Sequence, residues 1–124
     1  MAELPQSLEK FIRQQIDSVG QLEALLLLFR SEDRVWQAGE VARRLYVGEG
    51  EARSMLGRLV DRGFLKASEN GFMFRREEEG LTHRVQELER FYATHLIPIS
   101  NLIHSKASAR IQEFADAFTF KRKK

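Results

Sequence analysis

Two short stretches with helical apolar spacing stand close together near the middle of the chain, and they constrain the fold more than any other feature. Their apolar positions are Ala38, Val41, Ala42 and Leu45 in the first stretch, and Ala52, Met55, Leu56, Leu59 and Val60 in the second. Each set follows the i, i+3, i+4 pattern of one helix face. Gly63 stands just past the second stretch, where a left-handed residue commonly ends a helix. Two short helices joined by a tight turn cannot bury both apolar faces alone, so the chain must supply a covering element.

The segment before this pair supplies that cover. Leu22, Leu25, Leu26 and Phe29 repeat at helical spacing, and Ser18 followed by Gln21 has the pattern of a capping box at a helix start. A shorter amphipathic helix is predicted over residues 7–16. Between the second and third helices, Val35–Trp36 could form a very short strand.

A β-hairpin is predicted directly after the helical pair. The segment "FLKASENGFMFRR" places two short apolar runs around Asn70–Gly71, a dipeptide that favours the two-residue turns of hairpins. The predicted order is therefore helix, helix, helix, hairpin. This order indicates a mostly α fold with a small β element.

The rest of the chain carries a long apolar repeat with steps near 3.5, as in an interface or coiled-coil seam. The residues predicted for dimerisation are Leu81, Val85, Leu88, Tyr92, Leu96, Ile99 and Ile103. Two interpretations stay open: the seam pairs with a second copy of the chain, or it folds back on its own domain. Pro98 should kink this helix or end it near Ile97. A final amphipathic piece has Ile111, Phe114, Ala115 and Phe118 on one side.

Composition limits the classes of function. The chain has 124 residues, about the length of one domain with an extension, and a formal net charge of +2. Residues 35–76 contain eight basic side chains against five acidic ones, and "KRKK" closes the chain, a distribution that permits a nucleic-acid partner. The absence of cysteine excludes disulfides, thiol catalysis and cysteine-ligated zinc. The longest apolar run is too short for a membrane span and no secretory signal is visible, so the expected location is cytoplasmic.

The stretch "EVARRLYVGEGEARSMLGRLVDRGFL", residues 40–65, resembles the helix-turn-helix core of bacterial winged-helix transcription regulators, the MarR- and PadR-like families among them. With the preceding helix and the hairpin, the resemblance covers residues 18–76. It implies an N-terminal helix over 1–17, a winged helix-turn-helix domain over 18–76 and a C-terminal helical extension for dimerisation over 77–124. The chain departs from the pattern at Tyr46, where the families usually have glycine, and at Gly48, where they have a Ser or Thr cap.

The resemblance implies a homodimeric regulator that binds double-stranded DNA, with the second helix of the pair in the major groove and the hairpin beside it. By position, the implied DNA-binding residues are Arg43, Arg44, Arg53, Ser54, Arg58, Lys66, Arg75 and Arg76. Structural alternatives exist for each set. Arg58 could pair with Asp61 or Ser54, and the hairpin arginines could pair with the acidic segment at 77–79.

A second functional hypothesis is a winged-helix adaptor that binds protein without specific DNA binding. It would explain Glu49 and Glu51 at the start of the second helix, because acidic side chains there repel phosphates. A continuous positive face would favour DNA, and a mixed or negative face would favour protein. No catalytic motif, cofactor or metal site is predicted: His83 and Glu87 lie one helical turn apart, but two neighbouring ligands alone are weak evidence for a metal.

Overall fold

The computed structural model describes residues 4–105. Its helices and strands are α1 (Gln6–Gln15), α2 (Val19–Arg30), α3 (Ala38–Leu45), α4 (Glu49–Asp61), β1 (Leu65–Ser68), β2 (Gly71–Phe74) and α5 (Glu79–Thr94). Residues 96–105 are also helical. The amphipathic piece predicted at 111–118 and the basic run at 121–124 lie outside the described residues.

The helix ends follow from local side-chain chemistry. Ser18 Oγ accepts a hydrogen bond from the backbone N–H of Gln21, as its predicted capping role requires. The side chain of Gln21 accepts from the N–H of Asp17 at 2.7 Å, so the return bond reaches one residue further back than in a standard capping box. A reciprocal capping box, which the sequence analysis missed, is formed by Gln37 and Glu40 at the start of α3.

The hairpin lies where Asn70–Gly71 predicts it. Strands β1 and β2 pair antiparallel, from Leu65 opposite Phe74 to Ser68 opposite Gly71. Trp36 adds a single bridge to Phe72, which confirms the extended segment expected there. Gly71 has a φ of 135°, and a Cβ at this position would overlap the carbonyl oxygen of Trp36. Only glycine therefore permits the approach that joins the hairpin to the segment before α3.

Helix α2 is the centre of the molecule. It contacts α3, α4, β2 and α5, and its buried side chains include Leu22, Ala24, Leu25, Leu26 and Leu28. This burial explains why the run "ALLLLF" is apolar on nearly all sides rather than on one stripe. The helical pair α3–α4 and the hairpin pack on one side of α2, while α1 and α5 contact each other and complete the core.

The C-terminal repeat divides between the core and the surface. Val85, Leu88, Ile99 and Ile103 are buried in the core of the same chain, which matches the folded-back alternative for these four residues. Their side chains lie inside the protomer, and their role in dimerisation stays a prediction. Leu81 and Tyr92 are partly buried, and Leu96 is 49% exposed.

The break in this repeat comes earlier than predicted. Helix α5 ends at Thr94, with His95 in a non-helical conformation, and the chain is helical again from residue 96. Pro98 lacks the N–H that would bond to the carbonyl of Thr94, and its ring would clash with that carbonyl in a continuous helix. The break therefore falls four residues before the proline, and Pro98 occupies the first turn of the following helical segment, where a missing N–H costs little.

A winged helix-turn-helix consists of three helices followed by a β-hairpin. In this chain the hairpin also pairs with the extended segment between the first and second of these helices. Helices α2, α3 and α4 are its three helices, β1–β2 is the wing, and α5 begins the C-terminal helices. This is the fold class that the sequence predicts. Within residues 4–105, no helix combines the length and apolarity that crossing a membrane would require.

Candidate nucleic-acid interface

Helix α4 presents one face to the core and the opposite face to solvent. The inward side chains Ala52, Met55, Leu56 and Leu59 are buried, as their spacing predicts. The outward side chains Arg53, Ser54 and Arg58 are exposed. Packing against α2, α3 and β1 holds the helix by its inner face only. The described part of the chain thus leaves the outer face of α4 open.

The N-terminal turn of α4 is acidic, and it engages one of the predicted DNA-binding residues. Glu49 Oε2 lies 2.9 Å from Arg53 Nη2, one helical turn away, and both side chains are more than 60% exposed. Glu49 and Glu51 suit the positive end of the helix dipole. An exposed i, i+4 pair of this kind contributes only about 0.3–0.5 kcal/mol, so Arg53 can leave it at low cost.

Arg58 pairs across the fold rather than along its own helix. Its Nη1 lies 3.1 Å from Asp17 Oδ2, and Arg62 Nη2 lies 3.0 Å from the same oxygen. The partners suggested by the sequence, Asp61 and Ser54, are not the ones used. Asp17 is only 10% exposed whereas Arg58 is 58% exposed, so the guanidinium projects outward from a fixed carboxylate.

Helix α3 carries Arg43 and Arg44 in its last turn, both exposed. Among residues 4–105 neither forms an ion pair. The guanidinium of Arg44 lies 5.5 Å from the ring centroid of Trp36. These two side chains are the predicted DNA contacts with the least competition from carboxylates.

At the base of the hairpin, Lys66 and Arg75 pair with the acidic segment that follows. Lys66 Nζ lies 3.3 Å from Glu77 Oε1, and Arg75 lies 3.6 Å from both Glu77 and Glu78. Arg75 Nη1 also donates to the carbonyl of Gly63. The pKa of Glu77 is lowered by a backbone hydrogen bond and by Lys66 and Arg75. This is the alternative that the sequence analysis held open for Arg75.

Arg76 has a structural role that the sequence analysis did not predict. Its guanidinium donates to the carbonyls of Phe29 and Glu32, at and just beyond the end of α2. It also lies over the rings of Phe29 and Phe74, 5.4 and 5.6 Å from their centroids. These donors attach the hairpin to α2, and the wing contact of Arg76 with DNA stays a prediction.

A groove of about 400 Å³ separates the beginnings of α3 and α4 from the tip of the hairpin. Its charged lining residues are Glu40, Arg43, Glu49, Arg53 and Glu69. The sign of the charge is therefore mixed along the face that a winged helix turns toward DNA. Within residues 4–105, no cluster of three or more potential metal ligands occurs.

The sequence analysis missed Arg34, which belongs to the same side of the molecule. Its guanidinium carbon lies 3.6 Å from the ring centroid of Trp36, and its Nη2 lies 3.1 Å from Glu40 Oε2. The sequence feature that could have indicated this contact is the i, i+2 spacing of Arg34 and Trp36. In an extended segment this spacing places two side chains on the same face.

Comparisons with known proteins give one solved structure to report. The multiple antibiotic-resistance repressor (MarR) of Listeria monocytogenes aligns with 95% of this chain and 90% of its own, at 15% sequence identity and a TM-score of 0.46. No protein-family model matches the chain, and no curated protein matches it significantly.

Proposed function

We propose that the chain is a transcription regulator that binds double-stranded DNA with the outer face of α4 in the major groove. The observation that carries this proposal is the open outer face of α4, beside a hairpin and the helix α3, which carries Arg43 and Arg44 in its last turn. Helix α5 packs against α1 and α2. The exposure of Arg53, Ser54 and Arg58 on the outer face of α4 supports the approach of a duplex.

The mixed charge of the groove beside α4 taken alone favours a protein partner, so the DNA binding that we propose is modest and salt-sensitive and depends on four arginines. Arg43 and Arg44 have no carboxylate partner within the described chain, and the pairs of Arg53 and Arg58 are exposed on the arginine side. A phosphate can replace a carboxylate in such pairs, with charge-assisted hydrogen bonds of similar geometry. About four phosphate contacts would give a slope of roughly −3 to −4 for log affinity against log salt.

The sharpest test uses two i, i+4 ion pairs on different helices. Arg13 of the Glu9–Arg13 pair on α1 is 62% exposed, and Arg53 of the Glu49–Arg53 pair on α4 is 63% exposed. Arg53→Ala should weaken binding to genomic DNA fragments about five- to tenfold at low salt, and Arg13→Ala should leave it nearly unchanged. Glu49→Gln should strengthen binding, because it removes a repelling charge and releases Arg53, while Glu9→Gln should not.

Fluorescence anisotropy at two salt concentrations measures all four variants against the parent. The proposal fails if the folded parent binds no DNA at any salt. It also fails if the α4 variants behave like their α1 controls. Either result, given the mixed charge of the groove, would turn attention to a protein partner for the same face.

We also propose that the regulator is a homodimer joined through its C-terminal part. The support is an apolar surface at the start of the helical segment 96–105, where Leu96 and Ile97 are 49% and 66% exposed. Twofold symmetry would then require two half-sites about one helical turn apart. Sedimentation of the double variant Leu96→Ser/Ile97→Ser should give a monomer where the parent gives a dimer; a monomeric parent refutes this part.

A further inference from the structure

A small hollow lies beside α3, outside the groove between α4 and the hairpin. Its volume is about 270 Å³, and it is lined by Arg34, Trp36, Glu40, Arg43 and Arg44. Three arginines and a single carboxylate thus line the hollow, and two of the arginines lie over the ring of Trp36. We propose that this hollow is a phosphate-binding site that holds a backbone phosphate of the DNA beside the α4 contact. The inference rests on the proposed function and adds Arg34 and Trp36 to it.

Trp36 provides a rigid platform for the site. The residue is 2% exposed, and its backbone N–H and carbonyl both pair with Phe72, at 2.8 and 2.7 Å. Arg34 lies over the ring at 3.6 Å, and Arg44 lies over it at 5.5 Å. A guanidinium that stacks through its face keeps its N–H donors at the edge of its plane. Stacking therefore fixes the arginine without consuming the donors that recognise a phosphate.

Glu40 positions Arg34 instead of neutralising the cluster. Its Oε1 accepts from the N–H of Gln37 at 2.9 Å, and its Oε2 faces Arg34 Nη2. The pKa of Glu40 is lowered, first by the Gln37 hydrogen bond and then by the charge of Arg34, so the carboxylate stays ionised at neutral pH. It engages one nitrogen of Arg34. Arg43 and Arg44 form no ion pair in the described chain, so the cluster keeps an excess of positive charge.

The position of the hollow fits a duplex that lies on α4. Glu40 and Arg43 line both the hollow and the groove beside α4, so the two cavities adjoin along α3. A helix-turn-helix holds its second helix in the major groove while the first crosses the backbone. The hollow lies on that first helix, and its charge complements the single negative charge of a phosphodiester.

The experiment exploits the fact that Trp36 is the only tryptophan of the chain. A duplex of mixed sequence is titrated into the parent protein at low salt, and both anisotropy of the labelled duplex and emission of Trp36 are recorded. Arg34→Ala and Arg44→Ala should each weaken binding about five- to tenfold and lower the salt slope by about one. Arg13→Ala, which removes one exposed charge from α1, is the control. Thermal melts establish that every variant is folded.

A charge-conserving variant distinguishes specific recognition of a phosphate from non-specific electrostatic attraction of the DNA. Arg34→Lys retains the positive charge but loses the planar, stacked fork. It should bind the duplex more weakly than the parent, and its Trp36 emission should respond less to added DNA. A lysine variant indistinguishable from the parent in both readouts would overturn the proposal.

The outcomes distinguish this site from the proposed function. If the parent binds the duplex and the Arg34 and Arg44 variants bind like Arg13→Ala, the phosphate site is refuted while DNA binding stands. If the parent binds no duplex, inorganic phosphate is titrated at constant ionic strength. The phosphate site is then supported if Trp36 emission changes with phosphate but not with chloride, and if Arg34→Ala abolishes this change. No change refutes it.

Discussion

The outer face of α4 and the base of the hairpin each carry two arginines that the sequence predicts to bind DNA. The two pairs of arginines differ in what they contact within the protein. Arg53 and Arg58 on α4 face carboxylates in ion pairs whose arginine side is open to solvent. Arg75 and Arg76 at the hairpin base are partly buried and donate to backbone carbonyls of other elements. Position in a family pattern therefore does not decide whether an arginine is available to a ligand.

The difference follows from where free carbonyls occur. The last carbonyls of a helix have no partner within it, whereas those in the middle are all used. Arg76 reaches the end of α2, Arg75 reaches Gly63 just past α4, and Arg62 donates to Gln15 at the end of α1. Each of these arginines donates to a carbonyl at or near a helix end, and the carbonyl of Gln15 also accepts from the side chain of Gln21. The outer face of α4 offers no such acceptors, so its arginines stay exposed.

The largest expected effect is a difference in the free energy of unfolding between variants at the hairpin base and variants on α4. Arg76→Ala removes charge-assisted hydrogen bonds to two carbonyls and contacts with two aromatic rings. We expect the free energy of unfolding to fall by about 2–3 kcal/mol. Arg53→Ala, the matched change on α4, should alter it by less than about 0.5 kcal/mol. Urea denaturation measures both, and equal losses for the two variants would break the comparison.

A second prediction concerns Asp17, which connects the two kinds of arginine because it pairs with exposed Arg58 and partly buried Arg62. Asp17→Asn should lower the free energy of unfolding by about 1–2 kcal/mol, because two charged hydrogen bonds lose their anionic acceptor. It should also strengthen DNA binding, since Arg58 is released. Asp61→Asn, an equal charge change at the outer end of α4, should strengthen binding without the loss in stability. Calorimetry and anisotropy together test this, and a loss in stability at Asp61 would contradict it.

The sequence could predict the helices and the hairpin because their signals are local. Ser18 marks the start of α2, Gly63 with a φ of 87° marks the end of α4, and Asn70–Gly71 marks the turn. Each needs only neighbouring residues to act. The ion pair of Arg58 could not be predicted in the same way, because Asp17 is 41 residues away along the chain. Which acceptor an arginine meets is decided by packing.

The C-terminal repeat shows the same limit for apolar side chains. A period near 3.5 identifies a buried face but does not identify what buries it. Val85 and Leu88 are covered by their own chain, whereas Leu96 in the same repeat is half exposed. The break between them depends on the carbonyl that Pro98 cannot bond. Ile99 and Ile103 after the break are buried again, so the exposure of Leu96 is confined to the break and is decided by tertiary packing.

The smallest expected effect is a pH dependence at the hairpin base. The pKa of Glu77 is lowered from 4.5, so ionised Glu77 stabilises the fold above that value, and the contribution is lost as the pH falls through the lowered pKa. Glu77→Gln should therefore lower the melting temperature slightly near pH 7, and the difference from the parent should shrink as the pH falls below 4.5. Glu69→Gln at the hairpin tip makes the same charge change without an ion pair in the described chain, so it should not reproduce this convergence. Because Glu77 is exposed, its effect should stay well below that of Arg76. A loss at Glu77 as large as that at Arg76 would mean that the hairpin base depends on its ion pairs rather than on the carbonyls that its arginines satisfy.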